Sequence, residues 1–198
     1  MIIVECIQGT EEWYQARCGI PTASSFSKII TSKGASSKSA DKYMYRLAGE
    51  FITKTPEETY QSQAMKTGNE REDDARQLYE IINGVEVVQV GFCLTDDKKC
   101  GCSPDSLVGD EGMLEIKCPN IDTHVGYLLS GKLPTAYYQQ VQGQLFVTGR
   151  QWCDFMSFYP GLEPMFVRVE RHEGFIEKLQ VEIEVLSVEL KEIIKKII

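Results

Sequence analysis

Histidine is scarce in this chain: only His124 and His172 occur among 198 residues, and they stand apart. Cys100 and Cys102 are close, but no second close cysteine pair accompanies them, so zinc is poorly supplied and buried free thiols are the better reading. The seven cysteines are odd in number and scattered. That excludes a secreted disulfide framework and fits a reducing cytoplasm. No uninterrupted apolar run is long enough to cross a bilayer. Glu5 interrupts the only apolar N-terminal stretch, and no basic region precedes it, so neither a membrane span nor a secretory signal is expected. Repeats and linkers are also missing, which predicts one domain over residues 1–198. The length is enough to bury one sizeable core, and 42% hydrophobic with 25% charged residues is an ordinary globular composition.

A positive charge excess is lacking too: the net charge is −8, which at first argues against a nucleic-acid partner. The distribution answers that objection. Arg17, Lys28, Lys33, Lys38, Lys42, Arg46 and Lys54 face only Asp41 and Glu50 in their stretch, giving +5, while the rest of the chain carries −13. A basic N-terminal third could guide a duplex to one place while an acidic exterior limits non-specific binding. A solvated helix face is the equal alternative.

What the chain does contain is the run CSPDSLVGDEGMLEIKCP, Cys102 to Pro119. Gly109-Asp110-Glu111-Gly112 supplies the turn of a β-hairpin. Counting outward sets Asp105 across from Glu115 or Ile116, and paired strands lie about 4.8 Å apart. Glu115 and Lys117 share the face opposite Ile116. Two carboxylates and an ammonium therefore converge, which is the pattern of a metal-dependent phosphodiesterase.

A phosphodiester is anionic and repels hydroxide unless divalent cations offset its charge. Mg²⁺ favours oxygen ligands and often takes only one or two carboxylates. Asp105 and Glu115 fit as ligands, with the Ile116 backbone carbonyl as another. Lys117 would orient the attacking water or stabilise charge on the phosphate. The pattern is short, and alone it could be the wet face of an exposed hairpin.

The hairpin run does not stand alone. Gln8-Gly9…Trp13…Arg17-x-Gly19-x-x-Thr22-Ala23-Ser24, then Gly68-x-x-x-Glu72-x-x-Ala75-Arg76, then Tyr137-x-x-Gln140-Val141-Gln142 accompany it in order. Together they resemble the phage lambda exonuclease family, the YqaJ-type viral recombinases of the PD-(D/E)xK nuclease superfamily, from about Gln8 to Val147. Spacing departs from the family around residues 31–62, and the last fifty residues carry little motif. The resemblance implies a restriction-endonuclease-like nuclease core and a 5′→3′ exonuclease on double-stranded DNA. Such an enzyme releases mononucleotides and leaves a 3′ tail for recombination. It further implies Glu72 as a site carboxylate, and Arg17, Ser24 and Ser103 as the pocket for a 5′-terminal phosphate. Gln142 is expected near the site, with Gln140 either there or structural. Magnesium is the expected cofactor, as two ions with manganese able to substitute. The implied partners are 5′-phosphorylated duplex ends, two further subunits in a ring-shaped homotrimer, and a single-strand annealing protein, in the cytoplasm of a bacterial host with a phage or prophage as source. A restriction or repair endonuclease of the same superfamily is one alternative, and a non-catalytic DNA-end binding protein is another.

The fold class read from the pattern is α+β, a central mixed sheet flanked by helices. Thr10 is expected to cap a short helix ended by Gly19, with a second over Thr22–Ile30 and a mobile loop over 31–40. Helices are expected at about 40–53, 62–83, 121–131 and 134–148. Strands are expected at 85–94, 99–108, 112–118, 151–159 and 164–170. A final amphipathic helix, about 173–197, carries an a/d seam from Ile176 to Ile197. Val181, Val185 and Val188 add a second stripe, so this helix is expected to pack on its own domain. Asp73 and Asp74 read as solvent-facing, and Trp13 and Trp152 as core.

Overall fold

The computed structural model describes residues 1–57 and 63–198, with residues 63–70 as backbone only. The expected start of the second long helix, at residue 62, lies outside the described residues. Strands β1 (Ile2–Val4), β3 (Phe92–Leu94) and β4 (Gly101–Cys102) form a small sheet in the order β1-β3-β4. A second sheet takes β2 (Val87–Val88), β5 (Ser106–Val108), β6 (Gly112–Lys117), β7 (Trp152–Ser157) and β8 (Met165–Glu170), in the order β2-β5-β6-β7-β8. It is mixed, because β6 and β7 run parallel while the other neighbours are antiparallel. Helices α1 (Glu11–Arg17), α2 (Ala40–Thr53), α3 (Gln63–Asn83), α4 (Ile121–Ser130), α5 (Tyr138–Thr148) and α6 (Glu173–Ile197) complete the α+β architecture.

The central strand β6 explains the layering. Leu114 and Ile116 point to one face and pack with Ala75 and Tyr79 of α3. Met113 points to the other and joins Val141 and Leu145 of α5 and Phe155 of β7. A strand covered on both faces should be apolar throughout. Here Glu115 is the exception, 1% exposed.

The runs 85–94 and 99–108, expected as single strands, each break in two. The chain leaves the large sheet after Val88 and enters the small one at Phe92. The second break spans Ser103–Asp105, where Pro104 has no N–H to give a ladder. Strand β1 escaped the sequence reading because three residues are too few for a period. Residues 31–39 form a loop, as expected, and hydrogen bonds tie it to its surroundings. Thr31 N–H donates to Ala35 O, Ser37 N–H to Ile29 O, and the Ser36 hydroxyl reaches Glu182 of α6 at 2.6 Å. Thr10 precedes α1, but its hydroxyl donates back to Ile7 O at 2.8 Å rather than capping the helix.

The seam of α6 is buried at Ile176, Leu179, Ile183, Leu186 and Leu190, against α2 and α5. Val181, Val185 and Val188, expected to pack, are exposed instead. Of the two tryptophans expected in the core, Trp152 is half-buried, packing on the edge of the core beneath the Arg168 guanidinium, whereas Trp13 stands in a cavity described below. All seven cysteines are free, with Cys93, Cys100, Cys102 and Cys153 buried. No helix among the described residues is long and apolar enough to cross a membrane.

Helix α5 approaches the 3-10 turn Ala23–Lys28 closely at Gly143, where a Cβ would lie 2.3 Å from the Phe26 ring. Phe26 is fully buried and has nowhere to move. Gly143→Ala should therefore destabilise the protein in urea denaturation. Overpacking of about 1–3 kcal/mol exceeds the gain of up to about 1 kcal/mol in helix propensity. A variant as stable as the parent would show that the α5 contact is slack.

Candidate active site

The hairpin closes through a turn at Gly109, Asp110 and Glu111, with Gly109 at φ +52°. Ser106 faces Leu114 and Val108 faces Gly112, so the next pair outward is Asp105 with Glu115. Asp105 is freed from the ladder by the break at Pro104, and its carboxylate accepts from the Ile116 N–H at 2.5 Å. Gln8 holds that break in place, donating to Val90 O and Pro104 O at 2.8 and 2.9 Å. Lys117 Nζ lies 2.5 Å from Glu115 Oε1.

Helix α5 supplies two more donors to Glu115. Gln140 Nε2 reaches Oε1 at 2.5 Å and Gln144 Nε2 reaches Oε2 at 2.7 Å. Residues four apart share a helix face, which puts both amides over the carboxylate. Gln142, expected near the site, points elsewhere: it bonds Glu170 O and the His172 N–H. The helical phase that brings 140 and 144 inward turns 142 away. Gln144 was not picked out from the sequence; an i, i+4 amide pair at the helix facing the hairpin was the available signal. Its Oε1 is buried with no hydrogen-bond partner among the described residues.

Glu72, on α3, opens into a cavity of about 660 Å³ that Asp105 also lines. Asp73 and Asp74 are exposed, and Asp73 pairs with Arg76. Burial lifts the Asp105 carboxyl well above its usual range, with Glu115 and then Glu72 adding to the rise against Lys117. Burial likewise raises Glu72, opposed by Lys117 and aided by Glu115. Lys117 is held charged against its burial by Glu115 and Asp105. The neighbouring Cys118 thiol is pushed up to about 12 by burial, so it is no thiolate nucleophile.

Three carboxylates and one ammonium leave this place short of positive charge, and an oxygen-rich donor set suits a divalent cation. No trio of His, Cys, Asp and Glu among the described residues is already drawn in tightly enough to cage an ion alone. An ion that keeps most of its water, as Mg²⁺ does, needs only one or two of them. The residues fit such a cation.

A cavity of about 180 Å³ joins Asp105, Glu115 and Lys117 to Arg17, Ser24 and Ser103, while Glu72 lines the larger cavity. Arg17 ends α1 and Gly19 follows at φ +71°, its N–H held by Glu50 at 3.0 Å. Phe51 approaches within 3.0 Å of where a Gly19 Cβ would stand, so only glycine fits this turn. Burial works against the Arg17 charge, and among the described residues Arg17 makes no ion pair. Its guanidinium lies 3.8 Å above the Trp13 ring, while Trp13 Nε1 donates to Ser103 Oγ at 2.8 Å. Of the other basic residues, Arg46 is engaged by Glu50 and Glu57, and Lys28 and Lys54 sit over the Tyr43 and Phe51 rings.

The chain is similar to known proteins in both sequence and structure. Residues 12–151 match the model of the YqaJ-like viral recombinase domain. The structure matches that of an alkaline exonuclease, LHK-Exo, from Laribacter hongkongensis at TM-score 0.86 and 37% identity, over 95% of this chain and 96% of that one. The same enzyme in complex with dAMP matches equally. A phage-related exonuclease from Haemophilus somnus 129PT shares the fold at TM-score 0.71 and 15% identity, over 93% and 99% of the two chains. No curated protein matches the chain.

The clamp on Glu115 can be tested through stability. Gln144→Leu strips one oxygen of a buried carboxylate of its donor, which should cost about 1–3 kcal/mol. Gln144→Glu should cost more at pH 8 than at pH 5, because low pH lets the introduced carboxyl take a proton beside Glu115. Urea denaturation at both pH values reads this, and a pH-independent loss would mean the two side chains do not meet.

Proposed function

Because the chain belongs to the YqaJ-like viral recombinase family, we propose that it degrades linear duplex DNA from the 5′ end. It would release mononucleotides and leave a 3′ single-stranded tail for recombination by strand annealing. Its deoxyribonuclease activity follows from that membership and from the match along nearly the whole of an alkaline exonuclease. One observation carries the finer reading: Asp105, Glu115 and Lys117 share a cavity with Arg17, Ser24 and Ser103. A cavity with both sets could hold a terminal phosphate and the next phosphodiester together. The Laribacter enzyme was crystallised with dAMP, a deoxynucleoside monophosphate, and products of that class agree with this reading.

Asp105, Glu115, the Ile116 carbonyl and Glu72 would hold divalent cations, in this reading two Mg²⁺ ions with Mn²⁺ able to replace them. When bound, such ions neutralise phosphate charge, acidify water and stabilise the leaving oxygen. The protein's own groups do the rest. Lys117 remains an ammonium, able to orient the attacking water and offset charge on phosphorus. Gln140 and Gln144 keep Glu115 in one rotamer. Arg17 would take the 5′ phosphate through its planar fork, with the Ser24 and Ser103 hydroxyls as further donors. We also read the chain as one subunit of a ring-shaped homotrimer around DNA, encoded by a phage or prophage. It would work with a single-strand annealing protein in the bacterial cytoplasm; a monomeric mass by light scattering would remove the ring.

The test is hydrolysis of linear duplexes in Mg²⁺, with a closed circle as control. Asp105→Ala and Glu115→Ala should abolish cleavage while leaving DNA binding intact. Lys117→Arg should remain nearly inactive, since a planar fork cannot replace a compact ammonium. Near wild-type cleavage by either alanine variant would move the active site elsewhere.

End recognition is tested by the terminal group. A 5′-phosphorylated duplex should be degraded faster than a 5′-hydroxyl one. Arg17→Ala should shrink that preference by about 1.5–3 kcal/mol, the worth of a charge-assisted contact. Equal treatment of both ends together with cutting of closed circles would make the protein an endonuclease.

A further inference from the structure

We propose that Trp13 is a positioning residue for recognition of the 5′ end. Its ring would fix the Arg17 guanidinium, and its indole N–H would commit the Ser103 hydroxyl to donating toward the terminal phosphate. The inference rests on the phosphate-pocket reading above and extends it to a residue that touches no phosphate.

Trp13 and Arg17 are four apart on α1, so their side chains meet on one helix face, with the guanidinium carbon 3.8 Å from the ring centroid. A stacked guanidinium keeps its N–H edge free while losing its freedom to swing away. One indole face is thereby taken. Tyr14 adds a T-shaped contact, its ring centroid 4.9 Å from that of Trp13.

The second contact acts through hydrogen-bond polarity. An indole N–H can only donate, so Ser103 Oγ must accept the 2.8 Å bond from Trp13 Nε1. The hydroxyl keeps its own proton, and Trp13 offers no acceptor to receive it. Ser103 lines the cavity with Arg17, Ser24 and Lys117, where a phosphate oxygen would accept that proton. One side chain thus sets two donors that come from distant parts of the chain: Arg17 at the end of α1, and Ser103 in the break beside Asp105. The coupling also ties the terminal-phosphate group to the strand break that presents Asp105.

Two substitutions separate the two contacts. Trp13→Phe keeps an aromatic face under Arg17 but removes the N–H, while Trp13→Leu removes both. The full chain is assayed in Mg²⁺ on duplexes with 5′-phosphate or 5′-hydroxyl ends, and the readout is the ratio of the two kcat/KM values. Trp13→Phe should lower the ratio about 3- to 10-fold, as expected for one hydrogen bond, and Trp13→Leu should lower it further. Ser103→Ala should lower it as Trp13→Phe does, and the double variant should lose no more than either alone. A purely structural role would slow both substrates alike and leave the ratio fixed, which would overturn the proposal. Should Trp13→Phe fail to fold, Ser103→Ala still decides: an unchanged ratio removes the donor that Trp13 is said to set. A wild-type protein without phosphate preference sinks the pocket reading itself. A preference that survives Trp13→Phe sinks only the role of Trp13.

Discussion

A carboxylate can be kept dry only where donors replace the water it gives up. Glu115 meets that requirement in the middle of a strand covered on both faces. Lys117 from its own strand and Gln140 and Gln144 from α5 occupy both of its oxygens. The match holds only while α5 lies close over β6, and several other features share that condition. Gly143 lets the same helix touch Phe26 in the 3-10 turn that carries Ser24. One helix therefore seats the buried anion with its glutamines and the serine turn with its glycine.

The two ends of the smaller cavity are unbalanced in opposite senses. At one end, the Asp105 carboxyl is lifted by burial and by Glu115 and Glu72, with the Lys117 ammonium to offset them. At the other, Arg17 is pressed by burial and has no ion-pair partner among the described residues. An acidic end favours a cation and a basic end an anion, as the proposed reaction on a phosphate would require. The acidic net charge of the chain places no obstacle here, because the relevant charges are local.

Much of this was legible in the sequence. The turn glycines and the period of two placed Asp105, Glu115 and Lys117 together, on the face opposite the apolar Ile116. Less visible was whatever depends on angle or distance between elements. Gln142 and Gln144 are equally polar on paper, and only the rotation of α5 about its axis decides which one meets Glu115. Trp13 has the composition of a core residue, and its place in the cavity follows from the stacking of Arg17 four residues on. The breaks at 89–91 and 103–105 were hidden because both flanks have strand character; only the pairing partners show that the halves belong to different sheets. Pro104 was the one local sign. The valines of α6 were misjudged for a related reason, since a second apolar stripe does not state whether anything covers it.

The parallel pairing of β6 with β7 bears on how the molecule reaches this state. Its partners are 40 residues apart, from Gly112 with Trp152 to Lys117 with Ser157. A parallel pair needs a crossover between its strands, and this crossover contains both α4 and α5. Closing so long a loop is slow compared with forming a hairpin or a helix. The β5–β6 hairpin can therefore form early, with Glu115 still hydrated. When β7 joins, the same closure brings in the helix that carries Gln140 and Gln144. Desolvation of the carboxylate and arrival of its donors are thereby tied to the same chain closure, because the helix lies within the loop that β7 closes.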